Sequence, residues 1–503
     1  MRNLLRAALV LVFASLGSSS ALAETGGRFA VLFDKALFPA GFEGDLLIAF
    51  APPGGPEPRA AIHRFFGAPP TMRFQVKAQA GESVEVDVDS ALAIYPVDWS
   101  AVEPGDWQVQ AIARLSRTGR NAGTDDGDVH SLALDVVYDP ASEEVIELEL
   151  EELVEARDFP ETERVKLFTN ESKLLSDFHG FPYEMHAGVH LPVDHDPSEK
   201  YPVVYVVTGF GGTHESIHRW ARGVSPDSPM NNALLVVVDA TNRYGHSVFC
   251  DSPTNGPWGT ALVTELIPAL EAEFGGAGAD HRYVTGVSSG GWSSLWLQVT
   301  YPEAFSGCWS HVPDPIDFHD FQQIDIYTPL EDGSPRNMYF DESGALREVA
   351  RIPNLPDASY RGFVRHEYAL GPGGQIRSFE ATFSPRNPDG TPRRLFDVET
   401  GVIDHEVAEA WRPYDISHHL LTNWETLRPK LAGKIHVYAG EVDTFYLEGA
   451  VQRFQALAQE AGLLEDMVIE VVPGMAHSLH GPGNQAMIDT LAERWEGAMA
   501  GAR

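Results

Sequence analysis

The stretch Arg282-Tyr283-Val284-Thr285-Gly286-Val287-Ser288-Ser289-Gly290-Gly291 decides the fold of most of this chain. Its first six residues have the composition of a buried strand, and Trp292 to Val299 continues as a helix. Gly286 to Gly290, between them, matches the pattern G-x-S-x-G. A serine at such a turn is strained and exposes its hydroxyl, while the glycines let strand and helix approach closely. We predict that Ser288 is a catalytic nucleophile; the alternative is a glycine-rich turn with an N-capping serine.

A serine nucleophile needs a base, and the base needs a carboxylate that orients it. In a sheet of this kind they follow in the chain order Ser, Asp or Glu, His. Asp443 comes just after one later predicted strand and His477 just after the next. Open α/β sheets place their sites at these strand ends. We therefore predict Asp443 as the acid and His477 as the base, with Glu441 and His480 as the competing candidates.

Developing negative charge on the substrate requires N–H donors. The amide of Ser289 lies at the start of the predicted helix and is one candidate. The other follows an earlier strand, Tyr201 to Thr208, which runs into Gly209-Phe210-Gly211-Gly212. We predict that the Phe210 amide completes an oxyanion hole, although a plain glycine turn would have the same sequence.

Strands alternate with helical stretches from about residue 165 to the C-terminus. This order is typical of βαβ units, in which apolar strands are buried in a parallel sheet. We predict an α/β-hydrolase fold with a doubly wound, mostly parallel sheet. The predicted strands are Met185 to Leu191, Val203 to Val207, Leu234 to Asp239, Arg282 to Val287, Phe305 to Ser310, Ile435 to Ala439 and Val468 to Val472, and the predicted helices are Trp258 to Phe274, Ser289 to Thr300, Leu447 to Ala461 and Asn484 to Met499.

The rest of the chain divides into two further parts. Residues 24–155 contain short alternating strands separated by turn-rich stretches, which predicts an antiparallel β-sandwich accessory domain before a catalytic domain at 165–503. Residues 312–431 are too long for a crossover and rich in Pro, Gly, Asp and aromatic residues. We predict that they form an insertion over the active-site end of the sheet.

The first residues predict export. Arg2 and Arg6 precede an apolar stretch that ends in small residues, the pattern of a signal peptide cleaved after Ala23. This predicts a periplasmic or secreted protein without a membrane span, since the apolar stretch is too short to cross a bilayer. In an oxidising compartment, the only two cysteines, Cys250 and Cys308, are candidates for a disulfide.

The net charge restricts the partners. With 72 acidic and 36 basic residues, the formal charge is −36, which disfavours nucleic acid and anionic membrane surfaces. One segment contains His311, Asp314, Asp317, His319 and Asp320, residue types that bind metals, but without a recognised ligand spacing. We therefore predict neither a metal nor a cofactor.

The motifs together resemble the putative esterase (esterase D-like) family of α/β-hydrolases, which includes feruloyl esterases, enterochelin esterases and mycolyltransferase antigens. The resemblance runs from about Val165 to the C-terminus and rests on four stretches: Tyr201 to Gly212, Gly286 to Gly291, Tyr301-Pro302-Glu303-Ala304-Phe305 and Gly474-Met475-Ala476-His477. It implies a Ser288, Asp443 and His477 triad with an oxyanion hole formed by the amides of Phe210 and Ser289. The chain has Thr208-Gly209 where many members have His-Gly, and its insertion is unusually long.

These expectations lead to one function and several alternatives. We predict a secreted serine hydrolase that cleaves a small-molecule or polymer-linked carboxylic ester through an acyl-enzyme on Ser288. An acyltransferase would use the same triad and differ only in the acceptor. A peptidase of this fold is disfavoured because propeller-like repeats are missing, and a catalytically dead scaffold that serves as a binding protein is the alternative from another class.

Overall fold

The computed structural model describes residues 24–25, 27–353 and 358–501. The predicted signal peptide, residues 1–23, lies outside the described residues. No helix within the described ranges combines the length and the apolar character needed to cross a membrane.

Two β-sheets with a shared apolar core form the N-terminal region. Their side chains meet between the sheets, where the rings of Phe29 and Phe50 pack edge to face with centroids 6.1 Å apart. The larger sheet contains Glu24–Thr25, Phe42–Ala51, Thr71–Ala78, Ala93–Tyr95, Gly105–Ala113, Val129–His130, Leu134–Tyr138 and Glu152–Leu153, and the smaller contains Arg28–Phe33, Ser83–Asp87 and Val145–Leu150.

Strand pairing in this region differs from the sequence prediction. Most pairs are antiparallel, but two are parallel, and the longer of these joins Val145–Leu150 to Arg28–Phe33. The expectation of a wholly antiparallel arrangement is therefore wrong. Strand Thr71–Ala78 was not predicted, although its apolar residues alternate. Its Arg73 is buried in an ion pair with Asp45, with 3.0 Å between Nη1 and Oδ1, so a charged residue lies inside a largely buried strand.

An eight-stranded sheet forms the centre of the remaining chain. We number its strands in chain order: β1 Val165–Glu171, β2 Glu184–His190, β3 Val203–Val207, β4 Leu234–Val238, β5 Arg282–Val287, β6 Gly307–His311, β7 Ile435–Gly440 and β8 Met467–Val472. The spatial order is β1-β2-β4-β3-β5-β6-β7-β8. Strands β3 to β8 are parallel, whereas β2 runs antiparallel to both β1 and β4. The sheet is mostly parallel, as predicted. Strand β1 was not among the predicted strands.

Helices cover both faces of this sheet. Val203, Tyr205 and Val207 of β3 point into one core, while Val204 and Val206 point into the other. The first core also contains Ser289–Thr300, and the second contains Ile217–Gly223. The remaining helices of this part are Lys173–His179, Trp258–Ala261 continuing through Leu262–Leu266 into Ile267–Phe274, Glu448–Glu460 and Gly481–Gly501.

The long segment between β6 and β7 touches the N-terminal region. One of its helices, Tyr360–Leu370, receives a hydrogen bond of 3.1 Å from Arg73 Nε at the Tyr368 carbonyl. His366 of the same helix lies 2.9 Å from the Ile62 carbonyl oxygen. Its other helices are Gln375–Phe383, His405–Trp411 and Ile416–Leu431.

The predicted disulfide is wrong, because Cys250 and Cys308 are free thiols. Cys308 lies inside β6 in the core of the sheet, and Cys250 is buried in a loop, where its Sγ is 3.6 Å from the Asp251 carbonyl oxygen. Burial raises the pKa of both thiols, that of Cys308 to about 12, so both stay protonated. Counting cysteines could not reveal this, since a disulfide depends on the distance and direction of two side chains.

Candidate active site

Ser288 lies at the sharp turn between β5 and the helix Ser289–Thr300. Its backbone has φ 63° and ψ −126°, a conformation that non-glycine residues rarely adopt. A Cβ on Gly286 would overlap the Gly290 carbonyl oxygen, and one on Gly290 would overlap that of Val207 in β3. Glycine is therefore required at both positions if helix and strands are to come this close.

His477 and Asp443 form a hydrogen-bonded pair at the same edge of the sheet. The distance from His477 Nδ1 to Asp443 Oδ2 is 2.8 Å, and the Asp443 side chain is fully buried. Asp443 Oδ1 accepts a second hydrogen bond of 2.8 Å from the Phe445 amide. This arrangement holds the proton on Nδ1 and leaves Nε2 of His477 free to act as a base.

The two competing candidates lie elsewhere. Glu441 is exposed and accepts a hydrogen bond of 2.9 Å from the Gly474 amide. His480 is buried, stacks on the Tyr438 ring with centroids 4.6 Å apart, and lies 3.6 Å from Glu470. Neither side chain contributes to the pair formed by Asp443 and His477.

The hydroxyl of Ser288 points to a residue whose role in the site was not predicted. Ser288 Oγ lies 3.4 Å from Asp314 Oδ1, and in the described part of the chain no hydrogen bond joins Ser288 to His477. Ser289 Oγ donates to Asp314 Oδ2 at 2.5 Å. Free enzymes often have long catalytic hydrogen bonds, and a rotation of the Ser288 side chain about χ1 can redirect its hydroxyl.

Asp314 is 2% exposed, and burial raises the pKa of its carboxyl to about 6. Near neutral pH this group is therefore close to its titration point and can hold a proton. Sequence inspection placed Asp314 only among metal-binding residue types. Asp314 lies three residues after the end of β6, at the same sheet edge as the other candidates. This position was a signal from which its place in the site could have been predicted.

The loop after β3 lies against Ser288. A Cβ on Gly209 would be 3.3 Å from the Ser288 Cβ. The Gly212 amide closes the turn by donating a hydrogen bond of 3.0 Å to the Gly209 carbonyl. The Phe210 amide does not take part in this hydrogen bond. Thr208 donates its hydroxyl to the Gly212 carbonyl at 2.9 Å. The threonine thus braces the loop from within.

Residues 179–499 match the model of the family described as "Putative esterase". The chain belongs to this family. The resemblance seen in the sequence is therefore confirmed, and this esterase is a carboxylic ester hydrolase with an α/β-hydrolase fold. A comparison with curated protein sequences finds no match.

Several solved structures are similar to this esterase at low identity. A ferulic acid esterase has 16% identity and a TM-score of 0.38, with 66% of this chain and 98% of that chain covered. An S-formylglutathione hydrolase from Agrobacterium tumefaciens has 18% identity and a TM-score of 0.37, covering 66% and 94%. A fluorophosphonate-binding serine hydrolase from Staphylococcus aureus has 12% identity and a TM-score of 0.37, covering 66% and 97%.

A cavity of about 1160 Å³ contains Ser288, Asp314 and His477 in its lining. Three parts of the chain supply its aromatic wall: Phe65 comes from the N-terminal region, Phe363 and Phe379 from the insertion, and Phe210 and Trp220 from the hydrolase domain. Two other aromatic residues of the hydrolase domain lie outside this cavity: Trp258 is in the core, and Tyr244 lines a second cavity.

The metal-type residues after β6 have separate partners. His319 Nδ1 lies 3.0 Å from Asp325, and Asp317 pairs with Arg453 at 3.2 Å. Within the described ranges, no group of three or more His, Cys, Asp or Glu side chains could hold a metal ion.

Proposed function

We propose that this esterase hydrolyses carboxylic esters through an acyl-enzyme on Ser288, with His477 as base and Asp443 as the orienting acid. The observation that carries the proposal is the hydrogen bond from His477 to the buried Asp443, in which the histidine lines the same cavity as a serine held in a strained turn. Strain of this kind is typical of functional sites because the surrounding structure must maintain it.

The reaction follows from these positions. The Ser288 hydroxyl turns from Asp314 to His477 Nε2, loses its proton there and attacks the ester carbonyl carbon. The amides of Phe210 and Ser289 stabilise the negative oxygen of the tetrahedral intermediate. His477 then protonates the leaving alcohol. A water molecule, deprotonated by the same histidine, then attacks the acyl-serine. His477 returns this proton to Ser288 Oγ as the bond between the acyl group and the serine breaks and the acid leaves.

The broader organisation is also part of the proposal. Residues 24–155 form a β-sandwich accessory domain before a catalytic domain at 165–503, and the two-sheet core of the N-terminal region supports this division. The protein is exported after cleavage behind Ala23. Mass spectrometry of the N-terminus from the periplasm or medium tests this part, and an uncleaved cytoplasmic chain would contradict it.

The function itself is tested with small aryl esters. Purified protein should hydrolyse 4-nitrophenyl acetate, and Ser288→Ala should lower kcat by at least about 10³-fold, as removal of a serine nucleophile does in other hydrolases. Ser83→Ala, which alters an exposed serine of the N-terminal region, serves as the matched control and should keep full activity. Hydrolysis retained by Ser288→Ala would overturn the proposal.

A further inference from the structure

A second cavity, of about 210 Å³, lies where three parts of the chain meet. Arg117 reaches it from the N-terminal region, Asn242 from the loop after β4, and Arg386 from the insertion. It shares no lining residue with the active-site cavity. It is therefore a separate place on the molecule.

The cavity is bordered by Arg117, Arg243 and Arg386. In the described part of the chain, none of the three has a carboxylate within ion-pair distance. The Arg117 guanidinium lies 3.9 Å from the centroid of the Phe181 ring, which holds it over an aromatic face. In a protein with twice as many acidic as basic residues, three unpaired arginines around one cavity create a local attraction for an anion.

Four buried polar atoms of the lining residues have no hydrogen-bond partner among the residues that the structure describes. They are the Tyr183 hydroxyl, Asn242 Nδ2, Thr254 Oγ1 and Asn255 Oδ1. All four residues are less than 5% exposed. A buried polar atom without a hydrogen-bond partner lowers the stability of the fold, so such a group calls for a partner. Asn242 Nδ2 can only donate and Asn255 Oδ1 can only accept, so the partner must offer both acceptors and donors.

We propose that this cavity binds an anionic sugar unit, a hydroxylated ring that carries a carboxylate or sulfate. The arginines match the anion, because guanidinium groups bind both kinds of oxyanion. Ring hydroxyls match the unpaired donors and acceptors, and the rings of Phe181 and Tyr244 give an apolar surface for the ring carbons. The volume is below that of pockets for drug-sized ligands and fits one such unit. The site is independent of the proposed ester hydrolysis.

Calorimetric titration of the full chain tests the proposal with three probes: D-glucuronate, D-glucose 6-sulfate and D-glucose. We expect saturable binding of at least one charged probe and at least tenfold weaker binding of glucose; the two charged probes show which anion is preferred. Arg117→Gln/Arg386→Gln, at two exposed positions, should weaken that binding at least tenfold. Arg157→Gln/Lys200→Gln removes the same charge elsewhere on the surface and should leave it within twofold.

A shape-conserving variant separates ligand binding from structure. Thr254→Val removes an unpartnered hydroxyl, so it should leave the thermal stability of the free protein unchanged or higher and should weaken binding of the charged probe. Hydrolysis of 4-nitrophenyl acetate should stay unchanged in all these variants. The proposal is overturned if neither charged probe binds saturably, if glucose binds equally well, or if Arg117→Gln/Arg386→Gln leaves binding unaltered.

Discussion

The turn at Ser288 and the insertion between β6 and β7 both line the active-site cavity. The conformation of the turn depends on residues that are close in the sequence, whereas the position of the insertion depends on contacts between residues that are far apart in the sequence. At the turn, two glycines within five residues fix the close packing of a strand and a helix. The insertion contributes Asp314, Phe363 and Phe379 from positions far apart in the chain, and each reaches the cavity only after the segment has folded. Short-range sequence thus specifies the turn that holds the serine, while packing between distant segments shapes the cavity around it.

We expect the greatest loss of activity when the carboxylate that pairs with His477 is neutralised. Asp443→Asn should lower kcat for 4-nitrophenyl acetate by about 10³- to 10⁴-fold, because the amide no longer stabilises the imidazolium or holds the correct tautomer. Glu441→Gln, two residues away at an exposed position, is the matched control and should change kcat less than twofold. If kcat falls equally in both variants, the hydrogen bond to His477 does not identify Asp443 as the catalytic acid.

Asp314 connects the two regions, because it belongs to the insertion and contacts the turn. We expect it to make the stability of the protein depend on pH. The pKa of this carboxyl is raised by burial from 3.8 to about 6, so the folded state holds its proton more tightly than the unfolded state. Its contribution to the free energy of unfolding is therefore greatest below pH 4 and is lost as the pH rises through 6. Each pKa unit corresponds to ~1.4 kcal/mol, so the loss amounts to about 3 kcal/mol.

Asp314→Asn removes this titration. The stability of the variant relative to the wild type should rise between pH 4 and pH 7 by about 2 kcal/mol, measured by urea denaturation across that range. Asp126→Asn, at an exposed position, is the control and should show a flat difference. A flat difference for Asp314→Asn as well would show that the carboxyl is not held protonated in the folded protein.

The smallest expected effect concerns cavity shape. Phe363→Ala should lower kcat/KM for a longer acyl ester about tenfold relative to acetate, since the lost ring surface affects only substrates that reach it. The comparison uses 4-nitrophenyl acetate and 4-nitrophenyl octanoate. Leu464→Ala, an exposed apolar position outside the cavity, should leave the ratio unchanged. If Phe363→Ala leaves the ratio of kcat/KM for the two esters unchanged, Phe363 of the insertion does not contribute to substrate selection.

Sequence patterns predicted the parts of the fold whose signals are local. The helix Ser289–Thr300 begins and ends where it was predicted, because two glycines and an apolar run define it. The β7 and β8 strand ends that carry Asp443 and His477 could be found in the same way, since each is a short apolar run before a loop.

Features that depend on contacts between distant residues could not be predicted. The parallel pairing of Val145–Leu150 with Arg28–Phe33 requires knowledge of which strands become neighbours. Burial of Asp314 against Ser288 and the entry of Phe65 into the cavity depend on how the insertion and the N-terminal region pack on the sheet. The same holds for the two cysteines: they were expected to form a disulfide but are buried free thiols, because packing of distant segments decides whether they meet.

Labelling with a fluorophosphonate, followed by mapping of the adduct by peptide mass spectrometry, shows directly whether Ser288 is the nucleophile. Its hydroxyl is the one held in a strained turn beside the pair of Asp443 and His477. We expect a single stoichiometric adduct on Ser288, lost in both Ser288→Ala and His477→Ala. An adduct on another serine, or undiminished labelling of Ser288→Ala, would contradict it.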